Sequence, residues 1–275
     1  MVPRAQSSLR IVAALAAALA VTASTWSGAK AADPEPPATA WPALRQDIFG
    51  DRPVVEDPAA VVLEAPYRAE DAAIVPLVVR IPADVVGSVR KLSLVIDQNP
   101  APLVADITFG PAAGHAERVL ETRVRIDAYS HVRAIVEMAD GTLHMATKFV
   151  KAAGGCSAPA LKDPDAAFAE AGKMRIRFIA SSGDTRVGEI KIRHPQYSGL
   201  QLNPATGYYI PAKFLRTIDV LRGDDLVFHL EGGISLSENP SLRFTYGAGP
   251  DETLKVTAED TDGRTFTASA ASKGS

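Results

Sequence analysis

The chain has 275 residues, with 29 Lys and Arg against 32 Asp and Glu, a formal charge of −3 and one cysteine. This mild acidity argues against nucleic acid as a partner, because phosphate binding needs clustered positive charge. A single cysteine excludes an internal disulfide framework, and the length suits two domains of about 100 residues better than one large core.

At the N-terminus, Arg4 and Arg10 precede an apolar run over residues 11–21, and Ala29-Lys30-Ala31 places small residues where a signal peptidase reads them. Residues 1–31 therefore read as a signal peptide cleaved after Ala31, since crossing a bilayer as a helix takes about 20 apolar residues. Cleavage removes the three cations Arg4, Arg10 and Lys30, which takes the formal charge from −3 to −6. No later stretch is long and apolar enough to span a membrane, so no membrane contact is expected after cleavage.

Residues 32–44 are rich in Pro and Ala and read as an extended leader, with a short helical turn expected over residues 41–49. Beyond residue 74, apolar and polar side chains alternate in short runs, the period of a strand. Leu120, Thr122, Val124 and Ile126 fall on one face, and Glu121, Arg123, Arg125 and Asp127 on the other, where they read as a solvated face. Further strands are expected over residues 74–81, 91–97, 103–109, 131–138 and 143–150, with Asp140-Gly141 as a hairpin turn. Residues 152–172 are small, polar or Pro-broken and read as a linker between domains, with two helical turns at most over 165–171. Alternation resumes at Lys173 and continues over 186–193, 214–221, 226–230, 242–246, 254–258 and 265–268. Residues 45–151 and 173–270 each read as an antiparallel β-sandwich of the immunoglobulin-like type, an all-β architecture, with 271–275 as a tail.

Cys156 lies in the linker, after Gly154-Gly155 and before Ser157-Ala158-Pro159. Glycine carries no side chain and loosens the backbone, so the pair reads as a swivel that leaves the thiol exposed. Five residues from Lys151 reach at most roughly 16–18 Å, enough to carry a thiol-linked group into a cleft on another protein. The thiolate form needs nearby cations, and Lys151 and Lys162 stand closest in sequence.

Several motifs across the chain resemble known families. Ala65-Pro66, Ala69-Glu70-Asp71, Val75-Pro76, Asn99-Pro100, Arg123 and Gly154-Gly155-Cys156 resemble SoxY in their order. His194-Pro195, Gly199, Thr206-Gly207, Ile210-Pro211-Ala212, Ser237-Glu238-Asn239-Pro240 and Asp262-Gly263 resemble SoxZ. The fused arrangement is similar to the quinoprotein dehydrogenase-associated SoxYZ-like carriers. That resemblance implies two immunoglobulin-like halves packed as an intramolecular SoxY–SoxZ pair. It also implies a periplasmic location and covalent attachment of a small sulfur-containing cargo at Cys156, with Gly154 and Gly155 giving the arm its flexibility. Periplasmic redox enzymes would load and unload the thiol. The arm departs from the SoxY pattern of Gly-Gly-Cys-Gly-Gly, because Ser157-Ala158 replaces the last two glycines and the chain continues into a second domain.

Five histidines, His115, His131, His144, His194 and His229, form no paired metal-ligand motif, so no metal and no cofactor are expected. A hydrolase would need a base held against the thiol, and no nucleophile elbow, phosphate loop or dinucleotide fingerprint occurs. Residues 259–263 resemble part of a calcium loop but lack its closing glutamate, and a hairpin turn accounts for them better. The expectation is a carrier without turnover of its own. The alternative is a non-covalent binding or scaffold protein of a periplasmic dehydrogenase assembly, with Cys156 incidental.

Overall fold

The computed structural model describes residues 38–159 and 164–272. The expected signal peptide of residues 1–31, residues 32–37 of the expected leader, Lys162 and residues 273–275 of the tail lie outside the described residues.

Helix α1, Trp41–Phe49, carries Pro42, whose fixed φ suits the first helical turn, and is capped at its C-terminus by Gly50. Phe49 packs into a small apolar cluster with Val95, Ile135, Leu143 and Met145. Eight strands follow in the first half: β1 Val54–Glu56, β2 Val62–Glu64, β3 Val75–Ile81, β4 Val89–Ile96, β5 Leu103–Phe109, β6 Arg118–Val124, β7 Ser130–Met138 and β8 Leu143–Val150. The second half opens with the short helix α2, Pro164–Ala169, and continues with β9 Met174–Ser182, β10 Thr185–Ile192, β11 Leu215–Arg222 and β12 Asp225–Gly232. It closes with β13 Ser241–Gly247, β14 Thr253–Asp260 and β15 Thr265–Ala271. The alternating segments thus become strands as their period requires. The three-residue strands β1 and β2 carry too little alternation to show in sequence.

The two halves share both of their sheets. One sheet runs β1-β8-β7-β4-β5-β12-β11-β14-β15 and the other β2-β3-β6-β13-β10-β9. The seam is antiparallel in each: β5 pairs with β12 from Phe109↔Phe228 to Ala105↔Gly232, and β6 meets β13 at Leu120↔Phe244 and Glu121↔Arg243. Each seam strand covers the open edge of the other, an edge that would otherwise offer unpaired backbone groups to any passing chain. A single apolar core runs under the seam, from Leu77, Leu94 and Ile107 to Phe228, Leu242 and Phe244. The expected packing of two sandwich halves is therefore ladder to ladder, and the described residues form one compact unit.

One buried ion pair sits at the far side of the first half. Arg133 donates from Nε and Nη2 to the two carboxylate oxygens of Asp97, both at 2.8 Å, and its guanidinium lies 4.2 Å from the centre of the Trp41 ring. Helix α1 thus caps a cation whose charge is answered twice.

Candidate functional site

After β8 the chain does not leave the body as a loose arm. Lys151 N–H donates to Tyr67 O at 2.7 Å, and its ammonium lies 5.0 Å from the Tyr67 ring centre. Gly154 N–H donates to Asp127 O at 2.7 Å, and Gly155 N–H donates to Ile126 O at 2.9 Å. Cys156 follows with 0% exposure. The expectation of an exposed thiol on a freely swivelling Gly154-Gly155 arm is corrected here: the segment is docked and the thiol is buried.

Local packing explains the docking. A Cβ on Gly155 would lie 2.1 Å from Ala72 O and 2.7 Å from Ile126 O, so only glycine lets the backbone come this close. Gly154 has φ +78, a left-handed turn that glycine adopts without steric penalty. Both glycines act as fitting pieces in this conformation.

The second half supplies the cover. Ser198 Oγ donates to Cys156 O, and Gln201 Nε2 donates to Ala158 O at 3.1 Å. Arg125, the first residue after β6, donates from Nη1 to Gly155 O at 3.4 Å and from Nη2 to Gln196 O at 3.2 Å. The alternation assigned Arg125 to a solvated face, yet it is 2% exposed. The strand ends at Val124, and Arg125 N–H turns away to Ser235 O at 2.8 Å, so the strand stops short of the sequence pattern, which runs on to Asp127.

Asn99 ties this corner together. Its Nδ2 donates to Arg125 O at 2.7 Å and to Ser235 Oγ at 2.9 Å, while its Oδ1 accepts from Asp127 N–H at 2.9 Å. Arg123 donates to Asn239 O at 3.3 Å, and Asn239 Oδ1 accepts from His194 N–H at 3.2 Å. The short motifs scattered through the sequence therefore meet at the seam beside the cysteine. His194 is buried, and burial lowers its pKa to about 4, so it is neutral at pH 7; its Nδ1 accepts from Gln196 N–H at 3.1 Å and shapes the covering turn. Helix α2 brings Phe168 edge-on to Tyr197, with ring centres 5.6 Å apart.

Burial pushes the Cys156 thiol up to about 11, and the charge of Asp127 adds to the effect, while Arg125 pulls the other way. The cation acting on the thiol is Arg125, which sequence proximity did not single out; Lys151 stacks on Tyr67 instead. No three His, Cys, Asp or Glu side chains among the described residues cluster as a metal-holding group. His194 approaches Asp260 at 3.7 Å, and Asp260 in turn holds Arg264 through two of the guanidinium nitrogens at 2.7 Å.

Fold and site together define a two-part β-sandwich protein with one cysteine lodged at the seam of its halves. A family model described as sulfur oxidation protein SoxY matches residues 45–156, ending on the cysteine itself, and one described as sulphur oxidation protein SoxZ matches residues 174–271. The chain belongs to the SoxYZ-like proteins, with a SoxY domain and a SoxZ domain fused in one polypeptide. Membership supports a carrier role in sulfur oxidation. Among solved structures, the sulfur carrier protein SoxY from Chlorobium limicola f thiosulfatophilum is similar at 24% identity and TM-score 0.35, covering 42% of this chain and 97% of that one. A comparison with curated proteins finds no match.

Proposed function

We propose that the chain is an exported, periplasmic carrier that holds a sulfur-containing group covalently on Cys156 and presents it to partner redox enzymes. The observation that carries this reading is the place of the sole cysteine: the last residue of the SoxY match, at the junction with the SoxZ half. The buried conformation is its closed state. Five hydrogen bonds hold residues 154–158 to the body, each worth about 1 kcal/mol net, so opening costs on the order of 5 kcal/mol. A partner that binds the open segment by more than this exposes the thiol on docking.

Loading follows from sulfur chemistry. Joining the Cys156 thiol to a second thiol-class sulfur forms one S–S bond, breaks two S–H bonds and releases two electrons and two protons. A partner enzyme of the electron-acceptor class takes the electrons, which is why the reading pairs the carrier with periplasmic redox enzymes. The similarity of the fused arrangement to quinoprotein dehydrogenase-associated carriers makes a quinoprotein dehydrogenase system the proposed setting. The chain itself turns nothing over.

Burial of the thiol favours one competing reading, a scaffold that assembles a periplasmic dehydrogenase with Cys156 incidental. Intact-mass measurement on protein purified from its native periplasm separates the two. The carrier shows sulfur adducts that are absent from Cys156→Ser, and the variant strain loses growth on the relevant substrate. Unmodified protein together with unimpaired Cys156→Ser growth establishes the scaffold.

A further inference from the structure

An uncharged hairpin continues from the residues that cover the cysteine. From Pro195 to Ala212 no Asp, Glu, Lys, Arg or His occurs, although the first four make up 22% of the chain. The backbone doubles back within this stretch. Tyr197 N–H donates to Lys213 O at 2.8 Å, Lys213 N–H returns to Tyr197 O at 2.9 Å, and Ile210 N–H donates to Gln201 O at 2.8 Å. Leu202 bridges Tyr209, and Asn203 N–H donates to Tyr208 O at 2.9 Å. Two glycines that carried the SoxZ resemblance set the bends: Gly199 takes φ +87 against Ala212, and Gly207 takes φ +73 at the tip.

An extended segment turns successive side chains to opposite sides, and here the two sides have different surroundings. Gln201 is buried and donates to Ala158 O at 3.1 Å. Its near neighbours Leu200 and Leu202 are 36% and 51% exposed. Across the hairpin, Tyr208 and Tyr209 are 78% and 65% exposed, more than any other large hydrophobic side chain among the described residues. Together the four expose on the order of 400 Å², taking an aromatic side chain at about 150–250 Å². A patch of that size on a single chain is often a contact site.

Size, charge and position together define the occupant. A stable dimer buries about 800 Å² per partner, roughly twice what this tip offers, whereas brief redox encounters bury less. An uncharged tip offers no counter-charge, so a charged partner surface would lose its water there without return. The tip also adjoins Ser198 and Gln201, whose side chains hold the cysteine segment closed. A protein seated on the tip meets the cover that it has to displace.

We propose that Leu200, Leu202, Tyr208 and Tyr209 form the docking surface for the redox enzyme that loads Cys156, and that this enzyme meets them with an apolar, uncharged recess. The inference rests on the carrier reading and adds to it the place where the partner engages. That place is on the SoxZ half, beside the cover, and not on the cysteine segment itself.

The test uses the full chain expressed in its native host. Tyr208→Ser combined with Tyr209→Ser removes the two most exposed rings, so melting should stay within about 2 °C of the unmutated chain, as for other surface substitutions. Intact mass of protein drawn from the periplasm should show Cys156 loading reduced by roughly tenfold or more, the loss that truncating hot-spot tyrosines brings. Loading equal to that of the unmutated chain overturns the proposal. A photo-crosslinking residue in place of Tyr208 identifies the occupant, and it should join a redox enzyme whose deletion from the host leaves Cys156 unloaded. Crosslinking to a second copy of this chain, to lipid alone, or to an enzyme whose deletion leaves loading unchanged overturns the proposal. So does crosslinking no stronger than from Tyr129, an exposed ring outside the hairpin. Should the unmutated chain come from the periplasm with Cys156 unmodified, the carrier reading falls instead, so the two failures are distinguishable.

Discussion

Two buried arginines in the SoxY half show what a closed site and an open-ended one look like. Arg133 meets both oxygens of Asp97 at 2.8 Å under the Trp41 ring. Arg125 is as deeply buried, yet it meets only two backbone carbonyls and keeps one donor unmet. The first is a finished structural joint. The second is held by backbone groups alone, and the cysteine segment leans on it.

The largest expected effect tests the finished joint. Arg133→Met strands the Asp97 carboxylate in the interior and should cost about 3–5 kcal/mol, read as a drop in the midpoint of denaturant unfolding. Replacement of Gly155 by Ala acts on the other region. Its Cβ would collide with the backbone at Ala72 and Ile126, so the segment must lift, at about 1–3 kcal/mol. Labelling of Cys156 by a thiol reagent should then accelerate at least tenfold, the factor that about 1.4 kcal/mol represents. Unchanged labelling would mean that docking of Gly155 does not control the thiol.

Alkaline titration sharpens the contrast further. The thiol is raised in the folded chain, so its contribution to stability is full below the unfolded value near pH 8.5 and declines as pH rises toward about 11. The fall should approach about 1.4 kcal/mol per pH unit at its steepest and disappear in Cys156→Ser. The smallest effect is expected at the unfinished site. With the thiol free, Arg125→Met should shift stability by no more than about 1 kcal/mol in either direction, because the methionine loses two long hydrogen bonds but removes a buried charge. A loss as large as that of Arg133→Met would erase the distinction between the two arginines.

Much of the fold was legible because sheets write their period into the sequence. Leu120, Thr122, Val124 and Ile126 are all buried, as alternation demands, and the Asp140-Gly141 hairpin has Gly141 at φ +85. What alternation cannot carry is which edges meet. The ladders β5–β12 and β6–β13 join residues more than 110 positions apart, and nothing local in Leu103–Phe109 names Asp225–Gly232 as its partner. The site divides in the same way. Cys156 stood out by being alone, but its burial was hidden because its cover, residues 194–201, belongs to the other half. Arg125 was misassigned for a related reason: a strand pattern was read on to Asp127, past Val124 where the strand ends. The unusual run His194-Pro195-Gln196-Tyr197-Ser198 was the one signal that could have pointed to a covering turn.

The shared ladders also bear on stoichiometry. Two separate chains would have to find each other at their cellular concentrations, whereas here each half meets its mate at an effective concentration that a short connector sets in the millimolar range. Nicking the chain between Pro159 and Pro164 should therefore leave a complex that stays together through gel filtration, held by β5–β12 and β6–β13. Every molecule made is a matched pair, and no surplus half with a bare strand edge accumulates.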